Sequence, residues 1–229
     1  MLPAPNIHGR PDVYELENLA ADPERRIELA MAGVAGWDGE VLVDIGAGTG
    51  FHLERFQERA AHVIAVEPHA PTRLRAVQRV ARLGLERVSV LAAGAADLGL
   101  RDRSVGVTHS RFAYFFGPGC EAGLAELARV LRAGGTAFVV DNEWRSGTFA
   151  SWLRRSEWCR WAEPERIEAF WTASGFTSRT VETEWRFDRR EDMEAVVRLE
   201  FPPALAEAIL AEHPGTRVEY HVRVRHRRY

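Results

Sequence analysis

Five short apolar runs punctuate the first two thirds of the chain: Val41-Leu42-Val43, His62-Val63-Ile64-Ala65-Val66, Val88-Ser89-Val90-Leu91, Val105-Gly106-Val107-Thr108 and Thr136-Ala137-Phe138-Val139-Val140. Each is rich in β-branched residues, as strands buried on both faces are. Between most of them, apolar positions recur at helical spacing. Leu53 and Phe56 mark a helix over 50–60, and Leu74, Val77, Val80 and Leu83 mark one over 72–83. Leu124, Leu127, Val130 and Leu131 mark another over 121–132, which stops at Gly134-Gly135. The 92–104 connection is short and glycine-rich and predicts no helix. Upstream, Asp22-Pro23 opens a helix with Asp22 as N-cap and Pro23 at the first helical position. Residues 1–22 read as irregular apart from a short helix at Tyr14-Glu15-Leu16-Glu17.

The final third reads differently. Residues 145–162 are crowded with Trp and Arg. Helices are predicted over 163–174, 189–199 and 203–212, and a strand over 179–187. Arg217 to Arg225 alternates with period two and predicts one strand with a single buried face. Strands alternating with helices imply parallel βαβ units, and right-handed crossovers put helices on both faces of one doubly wound α/β sheet.

Composition removes several classes. With 46% hydrophobic and 28% charged residues, 229 residues bury a core without staples. A net charge of −3 argues against nucleic acid as a partner. The basic end, Arg223 to Arg228, reads as alternate residues on an exposed strand face. Cys120 and Cys159 stand far apart, which suits a reducing cytoplasm rather than a disulfide framework. No apolar run approaches the roughly 20 residues that span a bilayer, so no membrane partner is expected. No signal-peptide pattern opens the chain.

The sharpest chemical signal is Asp44-Ile45-Gly46-Ala47-Gly48-Thr49-Gly50, directly after a strand and before a helix. Glycines there let backbone approach a ligand, and a helix start favours an anionic group. A dinucleotide fingerprint would need glycine at 51, where Phe51 stands, and no Walker lysine follows. Glu67 ends the second run, 23 residues beyond Asp44, near the roughly 20-residue spacing of an acid that accepts both hydroxyls of a ribose.

Val41 to Gly50, Val63-Ile64-Ala65-Val66-Glu67-Pro68 and Ala125 to Gly135 together resemble the class I S-adenosylmethionine-dependent methyltransferases. Arg111-Phe-Ala-Tyr114-Phe-Phe-Gly117 resembles uncharacterised actinobacterial small-molecule methyltransferases. The resemblance implies a mostly parallel seven-stranded Rossmann-like sheet and S-adenosylmethionine as cofactor. It implies one domain over 1–229: a helical cap over 1–37, a cofactor-binding core over 38–142, and acceptor-side elements over 143–229 ending in an antiparallel strand. It assigns Gly46, Ala47, Gly48 and Gly50 to the methionine moiety, Asp44 to its amino group, and Glu67 and Pro68 to the ribose. Ala95 takes the adenine position, with Gly94 where many relatives carry an acid. Asp97 is a substitute at the wrong offset. Tyr14 and Arg111 complete the set.

The expected reaction is direct displacement onto a small-molecule acceptor. His109, Tyr114 and Glu143, in that order, are the candidates for a general base. Trp144, Trp152, Trp158, Trp161 and Trp171 suit a lid over an aromatic or cationic acceptor. Asp141, Asn142 and Glu143 form one acidic cluster without a second, which does not favour a metal. The alternative is a cofactor-binding regulatory or scaffold protein without catalysis. A nicotinamide-dependent oxidoreductase is a further reading, opposed by Phe51.

Overall fold

The computed structural model describes residues 5–229, so the first four residues of the expected cap lie outside the described residues. The five apolar runs are strands β1 (Val41–Ile45), β2 (His62–Val66), β3 (Val88–Leu91), β4 (Val105–Arg111) and β5 (Leu131–Asn142). They form a parallel sheet, continued antiparallel by β9 and then β6, in the order β3-β2-β1-β4-β5-β9-β6; β6 spans Thr177–Val181 and β9 Val222–Arg228. Both faces are covered, as the unbroken apolar runs require. Leu42, Val107, Phe138, Val140 and Val224 point into one layer. Val43, Ile45, Val105, Ala137 and Val139 point into the other.

The helices are α1 (Pro5–Gly9), α2 (Pro11–Ala20), α3 (Arg26–Ala32), α4 (Leu53–Gln57), α5 (Ala70–Leu83), α6 (Glu121–Val130), α7 (Thr148–Arg155), α8 (Pro164–Ala173), α9 (Arg190–Glu200) and α10 (Pro203–Glu212). α1 and α2 fill a stretch read as irregular apart from a short helix at 14–17, and three further helices depart from the sequence reading. Pro23 does not open α3, because Asp22 takes a left-handed φ of 53° and the chain makes a further turn first. The Asp22 carboxylate still caps the helix from there, accepting Arg26 N–H and Ile27 N–H at 2.8 Å each. The helix expected over 50–60 shrinks to five residues, so α4 contributes little helix dipole to the glycine turn. On α5 the apolar stripe faces outward: Leu74 and Val77 are 56% and 45% exposed, while Thr72 and Ala76 are buried. Ala76 faces the glycine turn, where a Cβ on Gly50 would lie 3.3 Å from its methyl, so the inner face of α5 needs a small residue.

The two expected C-terminal strands each break. Residues 179–187 divide into β6 and β7 (Glu184–Arg186), and 217–225 divides at Tyr220-His221 into β8 (Arg217–Glu219) and β9. β7 and β8 leave the main sheet as a two-stranded ribbon. The break buries two large rings: Tyr220 N–H donates to Thr183 O at 2.9 Å, and the Tyr220 ring stacks on Trp185 at 4.9 Å. Alternation reads the same through one strand or through two joined by two residues, which is why periodicity does not reveal it.

The basic end is also corrected. Arg225 is fully buried rather than on an exposed face, with NH2 2.6 Å from Glu168 Oε1 and NH1 3.6 Å from Asp141 Oδ2. Arg223 binds Glu168 as well, and Arg227 and Arg228 donate to the carbonyls of Ser174 and Gly134.

The cap rests on the core through α2. Glu15 accepts Thr49 Oγ1–H at 3.1 Å and pairs with Arg79 of α5. Glu15→Ala should cost about 1 kcal/mol, as a partly exposed ion pair does. Hydrogen exchange should localise the loss to α1 and α2 and leave the amides of β1 and β4 protected. Equal loosening of the sheet would refute this account of the latch.

Candidate active site

The strand order reverses between β1 and β4, so the carboxyl ends of these strands open the crevice where doubly wound sheets bind ligands. The glycine turn follows β1 at that point. Gly46 N–H and Ala47 N–H both donate to Val66 O, at 2.8 and 3.0 Å, and pin the turn to the end of β2. Gly46, Gly48 and Gly50 have φ of 75°, 59° and 80°, a region closed to most side chains. A Cβ on Gly46 would collide with the Ala113 methyl, and one on Gly48 would stand 2.8 Å from Ile7 Cδ1 of the cap. The turn is therefore bare backbone facing the crevice, with the cap seated over it.

Glu67 is the acid that the turn holds in place. It is buried, its Oε2 accepts Gly48 N–H at 3.0 Å, and its Oε1 accepts His69 N–H at 2.8 Å. Burial pushes the Glu67 carboxyl above its usual range, and the His69 and Gly48 N–H groups pull it back. Each oxygen keeps a second lone pair, which is the donor-accepting set a vicinal diol needs. Pro68 is exposed beside it. Gly94 and Asp97 close a tight turn after β3 through mutual backbone bonds of 3.3 and 3.1 Å, and no atom comes within 4 Å of where a Gly94 Cβ would stand. The Asp97 carboxylate turns back onto Gly99 N–H, so it does not stand in for the acid at Gly94.

Asp44 and His109 are register partners on β1 and β4. His109 Nδ1 donates to Asp44 Oδ1 at 2.8 Å, and its ring lies edge-on to Phe56 at 4.9 Å. At 2% exposure His109 is placed to orient Asp44. Tyr114 packs its ring over Gly123 of α6 and edge-on to Phe115. Glu143 accepts Arg145 N–H at 2.9 Å and Thr180 Oγ1–H at 2.6 Å, at the β6 side of the sheet. The three base candidates are thus not brought together. Between Arg111 and Tyr114, Phe112 adopts a left-handed φ of 49°, a strained choice for an aromatic residue at the mouth of a crevice. The tryptophans divide: Trp144, Trp152 and Trp171 are buried, while Trp158 and Trp161 are exposed.

Asp141 is the last residue but one of β5, beside Arg225. Burial raises its carboxyl to about 6, against the pull of Arg225. The folded value lies above that of an unfolded Asp, so the fold favours the protonated form. That stability is full below about pH 4 and is lost as pH rises through 6, on the order of 3 kcal/mol. Denaturant titrations at pH 5 and pH 7.5 should show the loss in the wild type and not in Asp141→Asn. Parallel pH dependence in the two would refute it.

Sequence reasoning missed Glu17, Glu200 and Tyr220. Glu17 lies with Val13 and Ala20 on the buried face of α2. A carboxylate on an apolar stripe is the readable signal. Glu200 and Tyr220 give no such signal, because only the packing of α9 and the small ribbon brings them in.

Residues 42–135 match the family described as "Methyltransferase domain". The chain is 30% identical over 133 residues to a demethylmenaquinone methyltransferase of Thermobifida fusca, covering 57% of this chain and 56% of that protein's length. Among solved structures, the YcgJ protein of Bacillus subtilis superposes with a TM-score of 0.63 at 16% identity, covering 89% of this chain and 97% of that one. A SAM-dependent methyltransferase of Aquifex aeolicus gives 0.60 at 17% identity, covering 94% and 96%. The geranyl diphosphate C-methyltransferase of Streptomyces coelicolor gives 0.57 at 14% identity, covering 86% and 76%. These likenesses establish the fold.

Proposed function

We propose that this chain is a class I S-adenosylmethionine-dependent methyltransferase and that it transfers the cofactor's methyl group to a small-molecule acceptor by direct displacement. One observation carries the reading: a buried Glu67 carboxylate, fixed by Gly48 N–H at 3.0 Å, flanks a turn that only glycines can form. Glu67 takes the ribose hydroxyls, with Pro68 beside them. The backbone of Gly46, Ala47, Gly48 and Gly50 runs along the methionine moiety. Asp44, oriented by His109, takes its amino group, and Arg111 its carboxylate. Gly94 and Ala95 leave room for the adenine, and Tyr14 closes the crevice from the cap. The sulfonium supplies an already electrophilic methyl, so the protein's main task is alignment. Residues 143–229 form the acceptor side. Free Cys120 and Cys159 suit the cytoplasm. Among the described residues no helix is long and apolar enough to cross a membrane.

Calorimetric titration with S-adenosylmethionine, S-adenosylhomocysteine and NADH tests the reading. Binding of both sulfur ligands and not NADH is expected. Binding of NADH alone would replace the reading with a nicotinamide site.

A further inference from the structure

A second polar cluster lies under the cap, where α2, α9 and the end of β4 meet. Glu17 is only 7% exposed, and among the described residues its side chain makes no hydrogen bond or ion pair; its Oε2 is enclosed without a partner. Glu200, the last residue of α9, has one oxygen held by Asn6 Nδ2–H at 2.9 Å. Burial raises both carboxyls; Glu200 raises that of Glu17 further, and Arg111 opposes it. The Arg111 side chain makes no hydrogen bond or salt bridge among the described residues, its guanidinium lying 5.4 Å from the Phe112 ring centroid. Tyr14 and Tyr220 stand within the field of the same three charges.

An enclosed carboxylate with no partner is costly, and proteins keep one where something else pairs with it. The cluster holds two carboxylates and one guanidinium. If the methionine carboxylate of the proposed cofactor neutralises Arg111, the two glutamates are left without a cation. A ligand that brings positive charge lets these raised carboxyls ionise, and the surrounding rings of Tyr14, Tyr220 and Phe112 suit an ammonium group with apolar substituents. A nucleophilic nitrogen must also be free of its extra proton before it attacks, and Glu17 Oε2 has an open lone pair to receive it.

We infer that Glu17 and Glu200 bind the ammonium group of an amine acceptor, and that Glu17 takes the proton the nitrogen loses before methyl transfer. One N–H bond breaks with its electron pair left on nitrogen, and the proton forms an O–H bond on Glu17. The nitrogen pair then forms the new N–C bond as the C–S bond breaks onto sulfur. The products are a methylated ammonium and a neutral thioether, so charge and atoms balance. This inference rests on the methyltransferase reading above and names its acceptor class.

The test uses the full chain saturated with S-adenosylhomocysteine. Methylamine, propylamine and phenethylamine are titrated in turn by calorimetry, each against its alcohol isostere. At least one amine should bind about tenfold or more tighter than its alcohol, a difference typical of one charge-assisted hydrogen bond. Glu17→Gln and Glu200→Gln should each remove that preference while leaving S-adenosylhomocysteine affinity within about twofold of wild type. Thermal melts confirm that each variant is folded, and the second serves if the first is not. Amines that bind no better than alcohols would overturn the inference and leave the cofactor reading intact. Loss of S-adenosylhomocysteine affinity in Glu17→Gln would overturn it by giving the pair to the cofactor. Failure of the wild type to bind S-adenosylhomocysteine would overturn the methyltransferase reading itself.

Discussion

Replacing Glu67 with alanine should weaken S-adenosylhomocysteine binding by about 100-fold or more, because two hydrogen bonds to a charged acceptor contribute roughly 1.5–3 kcal/mol each. The loss also reaches the turn. Gly48 N–H and His69 N–H both end on this carboxylate, so removing it frees the backbone that should meet the methionine moiety and the ribose. Glu67→Gln should not rescue binding. Its amide nitrogen would present N–H to one of two backbone N–H groups, setting donor against donor in a buried place. Calorimetry on both variants, with thermal melts to check folding, decides the matter. Affinity within about threefold of wild type for Glu67→Ala would move the ribose elsewhere.

Arg225→Met should lower stability at pH 7.5 by about 3–5 kcal/mol, the cost of leaving buried charge without its partner. Arg225 is enclosed between Glu168 and Asp141, with its guanidinium 5.4 Å from the Trp171 ring centroid. Methionine fills much of the volume, so the loss reports charge rather than a cavity. The loss should shrink at pH 5, where Asp141, already raised to about 6 by burial, is protonated. Adding Asp141→Asn to Arg225→Met should recover part of the stability at pH 7.5. Urea denaturation measures all of these. A loss below about 1 kcal/mol would put Arg225 on the same footing as a surface ion pair.

The glycine turn and the acid beside it were legible because their constraints are local. Gly46, Gly48 and Gly50 are needed for their own backbone angles, and Glu67 follows a strand at a fixed distance along the chain. The five parallel strands were legible for a related reason: burial on both faces leaves an unbroken apolar run. The surroundings of the base candidates were not. His109 lies within β4 and Glu143 just past β5, yet their partners, the Asp44 carboxylate and the Thr180 hydroxyl, come from other strands of the sheet. On α5 the stripe of Leu74 and Val77 has the spacing of a buried face, but it is Ala76 that packs against the glycine turn.

By itself, then, the sequence determined the five parallel strands, the glycine turn and the acid beside it, since each depends on residues a few positions apart. Only the tertiary structure decided that Arg225 is a buried cation, that one alternating segment serves two sheets, and that Glu17, Glu200 and Arg111 meet under the cap. Those residues are far apart along the chain, and no periodicity couples them. Their charges matter only where packing has excluded water, and which side chains share such a place is a property of the packed fold.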